Sequence, residues 1–345
     1  MRTKSRRDWT AAMFAAVMLS LQACPTVGQT RAAEKNTTKP GVYRIEELTA
    51  REIDALDRGK TLFILPVGVL EEHGPHLPIA TDTYRVNFIV DETAKRLQRK
   101  LPGWSIVVVP DVNYGEGGAN GFSGNPVHPG TYGLRYTTLR AILADIGGQI
   151  AANKFKWIFV IHAHGAPMHS IAISEACDFI SDTFSMTMLN ISSLLWADAE
   201  HSKEFDKIAA KYYSSADLQA QGMDIHAGTS ETSEMLAIDP QRVRPVYKAL
   251  PDRVAKNVDE LGAVAEKPGW EGYFGRPAKA SSAYGMELMK LAIEESADFI
   301  LRALRGENFS KHSRYPEGSI PGPYTEPPDE QASTAKLDQW LRQRK

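Results

Sequence analysis

Short runs of consecutive apolar residues alternate along this chain with longer segments that have helical periodicity. The apolar runs lie at residues 62–67, 105–109, 157–161 and 186–191, and the helical segments at 85–97, 136–152, 170–184 and 283–304. A strand that is apolar at every position is buried on both faces, as in a parallel sheet covered by helices on both sides. The alternation therefore predicts an α/β fold with a mainly parallel central sheet.

The length of 345 residues fits one catalytic domain, which we place at residues 41–306. Residues 25–40 read as a polar linker, and residues 307–345 as a Pro- and Gly-rich tail whose end, from 331 to 344, could form a short helix. Because 40 Lys and Arg residues balance 42 Asp and Glu residues, there is no basic surface for nucleic acid. Two cysteines exclude a disulfide framework, and Cys177 lies in an apolar helical segment typical of a core residue.

The first 24 residues have the layout of a secretory signal peptide. Basic residues, including Arg6 and Arg7, precede an apolar run too short for a permanent membrane span. The sequence before Cys24 resembles a lipoprotein cleavage box, which would tether the chain through a lipidated Cys24, whereas the paired arginines resemble a twin-arginine signal. Both interpretations predict an exported protein, either soluble in the periplasm or anchored on the periplasmic side of a membrane.

Polar side chains follow two of the predicted strands. The first strand leads into a segment with Glu71, His73 and His76, and the third strand leads into His162 and His164. In sheets of this class, ligands bind at the carboxyl ends of the strands. We therefore expect these side chains to meet at one edge of the sheet.

Five of the polar residues form a plausible set of metal ligands. They are Glu71, His73, Asp82, His164 and Glu231. Carboxylates and imidazoles without thiolates suit Zn²⁺, Mn²⁺ or Fe²⁺, and a central carboxylate can bridge two ions. Histidines next to Gly and Pro are also common in surface turns, so the residues alone leave both interpretations open.

The segment 66–82, with the pattern Glu-Glu-His-Gly-Pro-His-Leu-Pro followed by Asp82, resembles the signature of the creatininase family. Further similarity lies at 113–115, 129–131, 226–233 and 275–285, so the resemblance covers about residues 45–305. It implies a three-layer α/β/α sandwich, a dinuclear metal centre and hydrolysis of a C–N bond in a non-peptide or small cyclic amide. It also implies a homo-oligomer, since hexamers are common in the family.

Carried over by position, the resemblance assigns Glu71, His73, Asp82 and His164 as ligands of two divalent metal ions, with Asp82 as the bridge. The enzyme that gives the family its name has another ligand, a glutamate, two residues after the histidine that matches His164. This chain has Ala166 at that position. We expect Glu231 to supply the fifth ligand instead.

The resemblance also suggests catalytic and substrate-binding residues. His226 matches the family's candidate proton shuttle, and Tyr114 is expected to form a wall of the substrate pocket. His162 replaces a family asparagine and could act as a second proton donor, while Pro167 replaces another asparagine. Because of these two replacements, we do not expect creatinine to be the substrate.

Other polar residues near the motifs receive less specific interpretations. Strand-like alternation with Glu71 would turn Glu72 toward solvent. His76 is expected to support the site structurally. The remaining histidines, which have no motif around them, are expected on the surface or on helices: His128, His169, His201 and His312.

The sequence thus predicts a metal-dependent amidohydrolase that acts on a small-molecule amide. Two alternatives remain open. One is a deformylase or small-peptide peptidase of the same fold, and the other is a periplasmic binding protein that has kept the fold without the chemistry.

Overall fold

The computed structural model describes residues 38–118, 129–309 and 328–343. Within these residues, five strands form one sheet in the order β1-β3-β2-β4-β5, and every neighbouring pair is parallel. The strands are β1 (Val42–Arg44), β2 (Thr61–Val67), β3 (Ser105–Val108), β4 (Trp157–His162) and β5 (Thr187–Asn190). The central strands β2 and β3 are buried at every position, as expected for strands covered on both faces.

Helices connect and cover the strands. Between successive strands lie α1 (Ala50–Asp54), α2 (Thr81–Lys100), α3 (Tyr136–Ala152) and α4 (Pro167–Thr183). After β5 come α5 (Ile191–Trp196), α6 (Ala199–Tyr212), α7 (Ser215–Gln221), α8 (Thr229–Ile238), α9 (Val258–Ala265), α10 (Ser282–Leu304) and α11 (Pro328–Arg342).

Two apolar cores separate the three layers of the fold. On one face of the sheet, Leu62 and Ile64 of β2 pack with residues of α2, α5 and α10. On the other face, Phe63 and Leu65 pack with residues of α3 and α4. Successive strand residues point to opposite faces, so one continuous apolar strand supplies both cores. The predicted α/β sandwich with a mainly parallel sheet is confirmed.

The helix α2 begins at Thr81, four residues before the helix start that periodicity predicts. Its first turn, with Asp82, is buried although it is polar, so the apolar pattern could not reveal it. This early start places Asp82 on a rigid helix close to the end of β2.

The predicted signal peptide with Cys24, and also His128 and His312, lie outside the described residues. In the part of the chain that is described, no helix has the length and apolar character needed to cross a membrane. The predicted terminal helix corresponds to α11, and Cys177 is buried in α4 as expected.

Candidate metal centre

The ends of β2 and β4 bring the predicted ligands to one edge of the sheet. Val67 and His162, the last residues of these strands, are register partners. The chain segments that follow them, with Glu71 and His164, therefore leave the sheet side by side. The first turns of α2 and α8 add Asp82 and Glu231 to the same place.

Three overlapping groups of side chains have ligand atoms within 4.8 Å of one another. The groups are Glu71, Asp82 and His164; His73, Asp82 and Glu231; and Glu71, His73 and His226. Asp82 belongs to the first two groups and is almost completely buried. Its two carboxylate oxygens could thus serve two neighbouring cation positions.

Each of the three imidazoles in these groups uses one ring nitrogen to donate a hydrogen bond to a backbone carbonyl. The bonds run from His73 Nδ1 to Glu71 O (2.9 Å), from His164 Nε2 to Glu116 O (3.1 Å), and from His226 Nε2 to Glu72 O (2.8 Å). Such bonds fix which nitrogen carries the proton of a neutral ring and leave the other nitrogen available to bind a cation or a proton, as in metal-binding histidines. The backbone therefore prepares all three rings to accept a cation or a proton.

The second nitrogen of each ring faces carboxylate oxygens. His164 Nδ1 lies 3.2 Å from both Glu71 Oε2 and Asp82 Oδ2. His73 Nε2 lies 3.5 Å from Glu231 Oε2 and 3.7 Å from Asp82 Oδ1. His226 Nδ1 lies 3.7 Å from Glu71 Oε1.

The electrostatics of the cluster favour bound positive charge. Burial opposes the ionisation of Glu71, but the imidazoles of His226 and His164 outweigh burial and lower the pKa of Glu71 to about 2. Burial likewise opposes a charge on His73, yet Asp82 and Glu231 raise the pKa of that imidazole to about 10. Carboxylates that hold protons this strongly on imidazoles would also attract a divalent cation.

The donor atoms fit such a cation. Asp82 Oδ2 and His73 Nε2 are buried and make no hydrogen bond with any described residue. Buried polar atoms of this kind normally have a partner, and a bound ion would provide one. A set of imidazole nitrogens and carboxylate oxygens suits Zn²⁺ or Mn²⁺.

An arginine that the sequence analysis did not single out lies against the cluster. Arg85 Nη1 donates to Glu231 Oε1 (2.6 Å) and to Asp82 Oδ1 (2.9 Å), and Arg85 Nε donates to Glu234 Oε2 (2.5 Å). Burial raises the pKa of Glu234 to about 7, although Arg85 opposes this shift. The spacing offered a signal for both residues, because Arg85 follows Asp82 and Glu234 follows Glu231 by three positions, on the same helical face.

The backbone of residues 115–118 passes close over the cluster. Gly117 has a positive φ of 80°, and a Cβ atom added there would lie 2.9 Å from the Cβ of Ala166. A Cβ added at Gly118 would lie 3.1 Å from Glu71 Oε1. Gly117 and Gly118 can follow this path because they lack a Cβ atom, and Ala166 leaves no ligand atom beneath it.

His162 lies beside the cluster and belongs to none of the three ligand groups. Its Nδ1 donates to the carbonyl of His164 (3.0 Å), and its ring packs edge-on against Trp196. Burial lowers the pKa of His162 to about 3, so the ring is neutral. These contacts favour a role in orienting His164 over the expected role as a proton donor.

The prediction for Glu72 was wrong, whereas the prediction that His169 lies on the surface or on a helix was confirmed. Glu72 is 5% exposed rather than solvent-facing, because the strand alternation ends at Val67 and the following segment turns. His169 does lie on a helix, but it is fully buried, and its Nδ1 accepts the backbone N–H of Glu116 (3.2 Å). Both residues support backbone atoms that hold the imidazoles.

The structure also places His76, His201 and Tyr114, three residues whose roles were predicted from the sequence. His76 Nε2 lies 2.8 Å from Thr232 Oγ1, a structural contact as expected. His201 lies on α6 beside Glu295. Tyr114 is half exposed and does not line the cavity that adjoins the cluster, so its role in substrate binding stays a prediction.

A cavity of about 220 Å³ adjoins the cluster. Its walls are mostly apolar, and its polar residues include Arg85, His162, Glu231 and Glu234. The apolar walls come from Ile89, Ile161, Leu195, Trp196, Phe205, Leu288 and Met289. The cavity thus offers space for part of an organic ligand next to Glu231.

Comparison with known proteins finds relatives whose names describe hydrolysis of amide or peptide bonds. The sequence profile described as creatinine amidohydrolase (creatininase) matches residues 46–300. A mycofactocin precursor peptide peptidase of Mycobacterium ulcerans is 25% identical over 253 residues, which cover 69% of this chain and 84% of the relative. A creatinine amidohydrolase of Pseudomonas putida is 26% identical over 211 residues, 58% of this chain and 73% of the relative.

Solved structures show the same fold. A mutant creatininase of the Zn-Zn type superposes with a TM-score of 0.57 at 23% identity, over 76% of this chain and 98% of the other. A putative creatinine amidohydrolase of Bacteroides fragilis superposes with a TM-score of 0.54 at 22% identity, over 77% of this chain and 97% of the other. At this level of identity the likeness concerns the fold, and the chemistry has to be argued from the side chains.

Proposed function

The chain belongs to the creatininase family, a family of hydrolases, and on that premise we propose that it is a metal-dependent hydrolase of an amide C–N bond. The observation that carries the proposal is the sharing of Asp82 between two groups of buried ligand atoms. Glu71 and His164 complete one group, and His73 and Glu231 complete the other. This arrangement fits two divalent ions, and Zn²⁺ or Mn²⁺ is favoured because creatininase structures of the same fold are of Zn-Zn type or carry Mn.

When bound, two such ions polarise the amide carbonyl and activate a water molecule for attack. The residues of the chain orient the reaction. Asp82 directs one oxygen toward each ligand group, and His73 and His164 accept their cations at the nitrogen that the backbone leaves free. The burial of these residues excludes bulk water and strengthens each electrostatic interaction.

His226 is placed to move the proton that amide hydrolysis requires. Its Nε2–H is bound to the Glu72 carbonyl, so Nδ1 is the atom that can take up a proton, and it faces Glu71 at 3.7 Å. An amine leaves slowly unless it is protonated, and a nearby imidazole is a suitable donor. We therefore assign His226 Nδ1 as the group that delivers a proton to the leaving nitrogen.

For the substrate, we propose a small amide, either linear or cyclic, that reaches the cluster with an apolar part in the adjoining cavity. Creatinine is not expected, because His162 and Pro167 replace two asparagines of the family pattern. The apolar walls of the cavity favour a substituent larger and less polar than that of creatinine.

A second candidate activity is the cleavage of a short peptide. It is favoured by one observation, which is that four of the five curated relatives carry the name mycofactocin precursor peptide peptidase. The same metal-centre chemistry would serve a peptide bond or a formamide. The two candidate activities therefore differ in the length of the substrate and not in the kind of bond that reacts.

The test is a substrate panel on the purified chain, stripped with a chelator and reloaded with Zn²⁺ or Mn²⁺. Lactams, hydantoins, formamides, short peptides and creatinine are compared, and the chelated protein serves as the control. Metal-dependent turnover of any amide other than creatinine supports the proposal, and the best substrate decides between the two candidates. Fewer than one ion per chain after reloading, with no turnover, would instead support a non-catalytic binding protein.

Export remains a proposal as well. We propose that a signal peptide within the first 24 residues directs the chain to the periplasm and is then removed, with Cys24 left as the first residue in the lipoprotein case. Cell fractionation and mass spectrometry of the mature N-terminus test this, and a lipidated Cys24 would identify the membrane-tethered form. Size-exclusion chromatography with light scattering tests the proposed homo-oligomer.

A further inference from the structure

We infer that Arg85 is a positioning residue that holds Glu231 in the orientation needed to bind the second of the two metal ions. The inference rests on the proposed metal-dependent function and concerns one ligand of that site. It starts from the observation that Ala166, beneath the segment 115–118, has no atom that could bind a cation.

Glu231 lies where a ligand is needed but is poorly restrained by its own helix. It stands in the first turn of α8, and its side chain is 15% exposed. Its Oε2 accepts the backbone N–H of Ala227 (2.6 Å) and lies 3.5 Å from His73 Nε2. A long carboxylate with a single backbone hydrogen bond retains rotamer freedom, and binding an ion would have to restrict it.

Arg85 removes that freedom. Its Nη1 donates to Glu231 Oε1 at 2.6 Å, so the two oxygens of Glu231 are held by different partners. Oε1 faces the guanidinium of Arg85, and Oε2 faces His73. The same Nη1 donates to Asp82 Oδ1 (2.9 Å) and to the carbonyl of Ala163 (3.1 Å). One guanidinium therefore ties Glu231 to the bridging carboxylate and to the end of β4.

Glu234 in turn holds Arg85. It accepts from Arg85 Nε at 2.5 Å, one helical turn beyond Glu231. The planar fork of an arginine can contact two carboxylates at once, whereas a lysine ammonium on its flexible stem does so less rigidly. A lysine at this position should therefore restore the charge but only part of the positioning.

The test measures the binding of Co²⁺ alone, without substrate. Chelated wild-type chain, Arg85→Met and Arg85→Lys are titrated with Co²⁺, and the number of ions per chain and the visible absorption spectrum are recorded. Arg44→Met is the matched control, because Arg44 forms a partly exposed ion pair with Asp91 instead. Partners that orient ligands typically change metal affinity 10- to 100-fold.

We expect Arg85→Met to bind one ion as the wild type does and the second about 10- to 100-fold more weakly, with an altered spectrum. Arg85→Lys should recover part of the affinity, and Arg44→Met should match the wild type. Where a substrate is known, kcat should fall more than KM rises. Two ions bound by Arg85→Met with wild-type affinity and spectrum would overturn the inference.

Two further results keep the test decisive. If Arg85→Met does not fold, as judged by circular dichroism, the comparison moves to Arg85→Lys and Glu234→Gln. Wild-type affinity and spectrum in both of these variants would overturn the inference. A wild-type chain that binds two Co²⁺ ions but hydrolyses nothing contradicts the proposed function only, whereas a wild-type chain that binds no Co²⁺ contradicts both.

Discussion

The Nδ1 atom of His164 lies 3.2 Å from Oδ2 of Asp82, and the opposite ring nitrogen of His164 is bound to the carbonyl of Glu116. The imidazole is thus held from both sides, by the backbone and by a carboxylate shared between two ligand groups.

Replacing His164 by alanine should abolish activity through loss of metal. The change removes the only imidazole of the ligand group that also contains Glu71 and Asp82. Metal analysis after dialysis should show at least one ion fewer per chain than the wild type. His201→Ala, which removes an imidazole that belongs to none of the ligand groups, should retain the wild-type metal content. A metal content equal to the wild type in His164→Ala would show that His164 is not a ligand.

Replacing His226 by alanine should leave the metal content unchanged and reduce kcat. Loss of a general acid typically costs 10²- to 10⁴-fold in rate, so we expect a decrease of about that size. Metal analysis and steady-state kinetics on the same preparation separate the two effects. An unchanged kcat would refute the role in proton transfer, and loss of an ion would make His226 a ligand.

The stability of the metal-free chain should fall as the pH rises above neutrality. The carboxylates of the cluster raise the pKa of His73 from 6.5 to about 10, so the folded state binds a proton that the unfolded state releases. The resulting stabilisation is complete below about pH 6.5 and is lost as the pH rises through 10. Thermal unfolding in the presence of a chelator measures this, and His73→Asn should weaken the slope. The metal-loaded chain should behave differently, because binding requires unprotonated imidazoles and therefore strengthens as the pH rises.

Replacing Gly272 by alanine should lower both stability and kcat. Gly272 has a φ of 80°, and a Cβ there would lie 1.9 Å from Glu72 Oε2, displacing the residue whose carbonyl orients His226. Gly269 is the matched control, since its φ is 78° and a Cβ there meets no atom within 4 Å. Gly269→Ala should cost about 1–2 kcal/mol from backbone strain alone and leave kcat unchanged. Equal melting temperatures for the two variants would contradict this explanation.

Sequence periodicity was sufficient to predict the fold, because apolar residues recur with a different period in the strands of the sheet and in the helices that cover it. The apolar runs of β2 and β3 predicted central parallel strands, and the segment 136–152 predicted α3 at its observed bounds. The start of α2 was missed because its first turn is buried against polar residues of the site. These polar residues are buried because of the function proposed for Asp82, and a pattern of apolar residues cannot predict the burial of polar ones.

The motifs located the cluster, but they did not reveal the partners that orient it. Glu71, His73, Asp82, His164, His226 and Glu231 are brought together, as the strand-end argument expected. Arg85 and Glu234 were missed because their role depends on contacts between α2 and α8, which are distant in sequence. Glu72 was misjudged because alternation was extended past the last strand residue.

Because Gly117 lies close to Ala166, the residue type that one of these positions tolerates depends on the residue at the other. A side chain at either position beyond the present ones competes for the same space, so the segment 115–118 must shift before residue 166 can enlarge. Swapping residue 166 alone between relatives should therefore transfer little, whereas exchanging it together with residues 115–118 should transfer the whole arrangement.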